Sequence, residues 1–446
     1  MRKGYVVILV VLISILSCTK DQMAPLIELD NKLRSLVTVA SPNGKMSFYV
    51  LPDENDLVNV PQDPKNQLTA AKVQLGKFMF HDTGLAQDAK KPSGMGTYSC
   101  ASCHNSDSGF KSGSFQGIAD GGIGYGVEGE NRVMDTQYEQ NELDVQSARP
   151  LSLVNVGYVT NTFWNGQFGG GDVNIGTEDV WELRTDTERN ALGFEGIETQ
   201  NFDGLISHRI SISKEILEEN GYIELFDEVF GDIPEESRYT IETASFAFSA
   251  YIRTIVSNRA PFQKWLKGNK QEMSEKSKKG AILFFSKANC SNCHYSENLG
   301  SSEFHALGVN DMYQQPSYNT SKEDRRNLGR GGFTGRDRDL HKFKVPGIYN
   351  NADGDFFFHG ASIKTIEELV DYKNNAVGEN PDVSKNRISS KFKPLNLNDE
   401  EKSDLVHFLK YGLHDPNLDR YVPEYVPSGN CIPNSDTQSK IDLGCD

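Results

Sequence analysis

Tyr98-Ser99-Cys100-Ala101-Ser102-Cys103-His104 is the stretch that decides how the rest of the chain is read. Cys100, Cys103 and His104 spell C-x-x-C-H, the attachment signature of a c-type haem. Two thiols at this spacing reach both vinyl groups of a protoporphyrin and form thioethers. The next residue, His104, then lies under the iron as proximal ligand. A second copy stands at Cys290-Ser291-Asn292-Cys293-His294. The competing reading is two CxxC pairs sharing one zinc. Zinc ribbons hold their pairs far closer in sequence than these two, and they need no histidine after each pair. Two haem sites are therefore favoured, with His104 and His294 as metal ligands.

The other cysteines bear on compartment. Met1-Arg2-Lys3 is a basic start, and Tyr5 to Leu16 is an apolar run too short for a comfortable membrane span. It ends Ile15-Leu16-Ser17-Cys18, which resembles a bacterial lipoprotein box with Cys18 as the lipidated residue. Simple cleavage and secretion is the alternative. Cys431 and Cys445 remain, close together in a polar tail, and are read as a disulfide. Both the disulfide and c-type haem attachment point outside the cytoplasm. The expected location is the periplasm or cell surface of a bacterium, with the membrane touched through a lipid anchor only. The net charge of −16 argues against nucleic acid and suits a soluble protein with a basic partner, although acidity also serves solubility alone.

The expected fold is mostly α, as two cytochrome-c-like helical domains, each with one covalent c-type haem. Residues 1–18 read as leader and 19–57 as tether and irregular segment, with one helix near Pro25–Thr38. Residues 58–258 form the N-terminal haem domain and 259–425 the C-terminal one, joined through a connection at 258–274. Residues 426–446 are the polar tail. Thr69 is an N-cap for a helix through Phe80, and further helices are expected near 196–208, 213–229 and 234–257. In the last, Ile241, Ala244, Phe248, Ile252 and Ile255 mark one buried stripe. Ser274 caps a helix to Phe285, Thr365 starts one through about Tyr372, and Asn398 with Glu401 opens one to Tyr411. Residues 105–175 read mostly as loop.

Several ordered motifs resemble the bacterial di-haem cytochrome c peroxidase family, which includes the MauG-like enzymes. They are Leu75-Gly76-Lys77-Phe78-Met79-Phe80-His81-Asp82, the first CxxCH, Pro150 to Asn155, Phe163-Trp164-Asn165-Gly166, Ile197-Glu198-Thr199-Gln200, Phe343 to Asn350, and Phe358-His359. The resemblance covers roughly residues 58–415. It implies that peroxide reacts at the His104 haem and that the His294 haem takes in electrons and passes them on. It also implies that Trp164 lies between the haems, where packing alone would otherwise explain it, and that Gln200 orients peroxide.

The chain departs from the family in four places. Where the family has a glutamate after the Gln, this chain reads Gly204-Leu205-Ile206-Ser207-His208-Arg209-Ile210. His208 can do acid/base work near neutral pH, and Arg209 can stabilise negative charge; a purely structural His208 is the alternative. No histidine lies between His104 and His208, so the first haem is expected open or water-ligated, unless His208 itself ligates. For the second haem the family's Met or Tyr falls on Lys373, with Tyr372 beside it, and Tyr372 is the expected ligand, ahead of Met312. An inter-domain calcium, also implied, lacks its expected Asn, because Ala148 stands there.

The function implied is reduction of hydrogen peroxide to water, with electrons from a small donor protein such as a cytochrome c or cupredoxin. The alternatives are MauG-like oxidation of a protein or small substrate and a non-enzymatic di-haem electron carrier.

Overall fold

The computed structural model describes residues 26–445. The leader and Cys18 lie outside the described residues. The architecture is helical, with long loops and two antiparallel pairs of two-residue strands, Gly122–Ile123 with Val133–Met134 and Phe304–His305 with Phe343–Lys344. Buried apolar residues of both halves form one contiguous cluster, from Leu33 to Tyr421.

Each half is organised around a crossed helix pair built the same way. Helix Ala70–His81 starts at Thr69, whose hydroxyl accepts from the Lys72 amide at 3.2 Å. It packs on helix Ile241–Arg253. In the second half, helix Glu275–Phe284 starts at Ser274, which accepts from the Ser277 amide at 3.1 Å, and packs on helix Asp399–His407. Both pairs close over a glycine. A Cβ on Gly76 would stand 1.9 Å from the Ala247 carbonyl oxygen, and one on Gly280 would stand 2.0 Å from that of Asp404. No real contact survives at that distance, so neither helix pair can form with a larger residue there.

Gly280→Ala should therefore destabilise the protein by about 1–3 kcal/mol or more through overpacking. At an exposed helical position the same change would stabilise by roughly 0.5–1 kcal/mol. Thermal unfolding distinguishes the two, and a raised melting temperature would refute the close-approach reading.

The repetition extends to the loops. His104 Nδ1 faces the Phe110 carbonyl at 3.0 Å, and His294 Nδ1 faces that of Leu299 at 2.7 Å. Short loops closed by Thr162 with Phe168 and by Phe357 with Ile363 have the same form. Phe163 (φ 72°) and Phe358 (φ 64°) hold equivalent left-handed positions in them, followed by Trp164 and His359. The two halves share one local plan.

Several expected elements differ. The helix expected over 213–229 breaks at Gly221 (φ 76°) into Lys214–Glu219 and Ile223–Phe230. The 234–257 helix is shorter, because the Thr240–Thr243 capping box starts it at Ile241. The 258–274 connection contains helix Pro261–Leu266, with proline at its first turn and Phe262 and Trp265 buried in the core. The helix expected near Pro25–Thr38 is present over residues 26–40, and it is docked on the core rather than part of a loose tether. Leu33 and Val37 are buried there, and Asp30 forms a buried ion pair with Lys278 (2.9 Å) and accepts from the Trp265 indole (2.8 Å).

The polar tail is docked rather than free. Cys431 and Cys445 form the expected disulfide, and helix Thr437–Leu443 lies between them. The Ser99 hydroxyl donates to the Pro433 carbonyl (2.9 Å), the Ser435 amide to that of Thr97 (3.0 Å), and Asp436 pairs with buried Arg132 (3.1 Å). The tail's polar groups are thus satisfied by the backbone around the first CxxCH. Cys445→Ser should cost about 3 kcal/mol of stability, as expected for opening a loop of this length. Denaturant unfolding of that variant against wild type measures it, and an unchanged midpoint would contradict the prediction.

Candidate functional site

Two internal cavities hold the two CxxCH motifs. The first, about 750 Å³, is lined by Cys100, Cys103 and His104 and also by Gln200, Asp203, Gly204, Ser207 and His208. The second, about 240 Å³, is lined by Cys290, Cys293 and His294, with Lys373 also in the lining. Burial pulls both proximal imidazoles down to about 4, so each is neutral at ordinary pH. The Nδ1–H of each donates to a backbone carbonyl, which leaves the Nε2 lone pair free for a metal. Burial pushes the thiols of Cys100, Cys103 and Cys290 up to about 12, and raises that of Cys293. All four cysteines are free of disulfides. Gly117 leaves the Cys103 sulfur its space, because a Cβ there would stand 2.8 Å from it.

The wall between the cavities is shared. Arg149, Pro150, Trp164 and Lys344 line both. The Trp164 indole donates to the Arg149 carbonyl (2.8 Å), and its ring meets that of His359 edge-on at 6.2 Å. Arg149 directs its guanidinium at the carbonyls of Ser112, Ser114, Phe115 and Asp355. The Lys344 ammonium stands over the Phe304 ring at 4.9 Å. Among the described residues neither cation has a carboxylate in ion-pair contact, and burial lowers Arg149 to about 10 and Lys344 to about 8. Buried cations are ordinarily paired. A ligand with anionic edges on both sides of this wall would supply the missing charge, as the propionates of two haems would. The thiols, the free Nε2 atoms, the Gly117 gap and the unpaired cations all fit a haem in each cavity.

His208 caps the helix Gly196–Ser207. Its Nδ1–H donates to Asp144 Oδ2 at 2.8 Å, and its Nε2 lies 3.5 Å from the Gln146 amide. The Asp144 charge raises the His208 pKa above the usual histidine value, against the opposing effect of burial. The ring is partly accessible, since it lines the cavity, while the body of the protein encloses it.

The structure gathers Gln200, His208 and Trp164 around the first cavity, as expected. It places two expected residues elsewhere. Arg209, in a left-handed conformation (φ 56°), is outside the cavity lining and pairs with buried Asp120 at 2.8 Å. The helix has ended at His208, and the turn swings the next side chain away. Tyr372, expected as the second haem's ligand, does not line the second cavity: its hydroxyl donates to the Leu307 carbonyl at 2.7 Å. The adjacent Lys373 faces the cavity instead. Met312 is buried off this wall.

Sequence reasoning missed Asp144 and Asp203. Asp203 lines the first cavity, and burial with the nearby Asp186 charge raises its pKa to about 6. A signal existed for it: 200, 203, 204 and 207 recur at helical spacing, one face of a single helix. Asp144 had none, because it sits in a loop 64 residues from His208.

A family model described as di-haem cytochrome c peroxidase matches residues 70–271. The cytochrome-c peroxidase IdrP1 of Denitromonas iodatirespirans is 27% identical over 380 residues, 80% of this chain and 86% of that protein. The methylamine utilization protein MauG of Methylophilus methylotrophus is 28% identical over 359 residues, 79% and 85% of the two chains. A crystal structure of a MauG-like protein associated with microbial copper homeostasis superposes with a TM-score of 0.56 at 22% identity, covering 82% of this chain and 95% of that one. That last likeness is one of fold alone.

Proposed function

We propose that the chain is a member of the di-haem cytochrome c peroxidase family and that it reduces hydrogen peroxide to water with electrons from a small redox protein, a reading supported by the family match and the peroxidase-named relatives. The observation that carries this reading is the His208–Asp144 pair in the lining of the same cavity as His104. A haem there supplies the iron position and the electrons. The chain's own residues supply the rest. His208 Nε2 takes a proton from one peroxide oxygen and returns it to the other, which leaves as water. Asp144 holds the ring's orientation and stabilises its charged form. The Gln200 amide offers a hydrogen bond to orient the substrate, and Asp203, with its raised pKa, is a second proton reservoir on the same wall.

Division of labour follows from the two cavities. Residues 58–258 form the peroxide-reacting unit and 259–425 the electron-receiving unit, with Trp164 on the path between them. The CxxCH motifs and the disulfide suit a protein exported from a bacterial cytoplasm, and Cys18 would anchor it to the membrane; Cys18→Ser should then release it from the membrane fraction.

Relatives named as peroxidases and as MauG match at similar identity, so the deciding experiment separates the two activities. Purified protein carrying two haems should consume peroxide catalytically when given a reduced small cytochrome c or cupredoxin. Consumption that depends instead on an added oxidisable protein or small molecule, with no reduced donor present, would point to oxidation of another substrate, and no consumption under either condition to an electron carrier.

A further inference from the structure

The second cavity, which His294 lines, is also lined by a lysine with no charged partner among the described residues, Lys373. Lys373 lies in the last turn of helix Ile366–Asn375, which the Thr365–Glu368 capping box starts. Adjacent helical residues point about 100° apart. That angle takes Tyr372 out of the cavity lining, to the Leu307 carbonyl and against the Phe392 ring at 5.3 Å. It sends Lys373 inward, into the lining of the cavity that also holds Cys290, Cys293 and His294. The ammonium is held over Phe358 at 5.4 Å and Phe392 at 5.5 Å, and among the described residues it makes no hydrogen bond or ion pair. Its charge is near enough to act on Cys290, Cys293 and His294.

Several other donors lining this cavity are engaged. His305 bonds Ser389 (2.9 Å) and Glu303 (2.8 Å). His359 bonds Asp311 (2.9 Å) and stacks on Phe343. Lys391 pairs with Glu303 at 2.7 Å. Lys344 lies on the wall shared with the first cavity.

We infer that Lys373 Nζ is the second axial ligand of the iron that His294 holds. The inference rests on the reading that Cys290, Cys293 and His294 carry a haem. The step is coordination without redox change: the ammonium gives its proton to solvent, and the freed lone pair binds the ferric ion. Enclosure without a counterion favours the neutral amine that this requires. A haem ligated on both faces has no place for peroxide, so the second site would carry electrons only. The first cavity would then be where the substrate binds.

The test is EPR of the ferric protein, with haem counted by pyridine haemochrome. Wild type should carry two thioether-linked haems, one of them low-spin. Lys373→Arg keeps the charge and the aromatic contacts but has no lone pair to give. It should retain both haems while the low-spin signal is lost to a high-spin one. Lys373→His, which restores a nitrogen donor, should bring low spin back, and Tyr372→Phe should leave wild-type spectra. A Lys373→Arg protein with an unchanged low-spin signal would overturn the inference, as would loss of that signal in Tyr372→Phe. Fewer than two haems in the wild type would instead sink the haem reading beneath it, so haem count tells the two failures apart.

Discussion

His208→Ala should slow the reaction of the ferric protein with peroxide by roughly 10²–10⁴, the usual range for losing a positioned acid/base. Haem content and the first haem's high-spin signal should survive, because His208 lies outside the Cys100–His104 attachment motif and holds none of the attachment bonds. Stopped-flow mixing with peroxide measures the rate, and EPR the spin state. A high-spin signal that appears only after His208 is removed would make it a ligand instead of a proton carrier. An unchanged rate would move the proton work to Asp203. The pH dependence has a definite sign. Asp144 raises the His208 pKa, so the basic imidazole, and the rate that needs it, should grow in above the ordinary histidine pKa of about 6.5. Asp144→Asn removes that charge and should move the rise to lower pH. The same raised pKa means that the ion pair's stabilisation is fully present below about 6.5 and is lost as pH climbs through the raised value.

Replacing Cys290 and Cys293 together by alanine should lower covalent haem from two per chain to one, and donor-driven turnover should fall to background. The single reaction of the first site with peroxide should remain, since each CxxCH motif lines its own cavity and the two share only lining residues of other segments, Arg149, Trp164 and Lys344 among them. Replacing Cys100 and Cys103 should remove the other haem and abolish both activities. Pyridine haemochrome counts the haems, and steady-state against single-turnover assays separate the electron path from the chemistry. Equal loss of both activities in the two double variants would contradict the division of labour.

What the sequence determined by itself is whatever the backbone sets over a few residues. The CxxCH spacing, the caps at Thr69 and Ser274, and the buried stripe Ala244–Phe248–Ile252–Ile255 all lie within one or two turns. The duplication was legible because the two CxxCH motifs, each in its own helical half, repeat. Tertiary structure decided what depended on distant partners or on which side a helix buries. Asp144 reaches His208 from a loop, the tail's Asp436 reaches Arg132, and Asp30 reaches Lys278; nothing local in the chain announces any of these pairs. The choice between Tyr372 and Lys373 came down to about one helical step of rotation. Spacing in the chain names both residues. Only the packing of the Ile366–Asn375 helix, with Tyr372 tied to the Leu307 carbonyl, decides which of them faces the cavity.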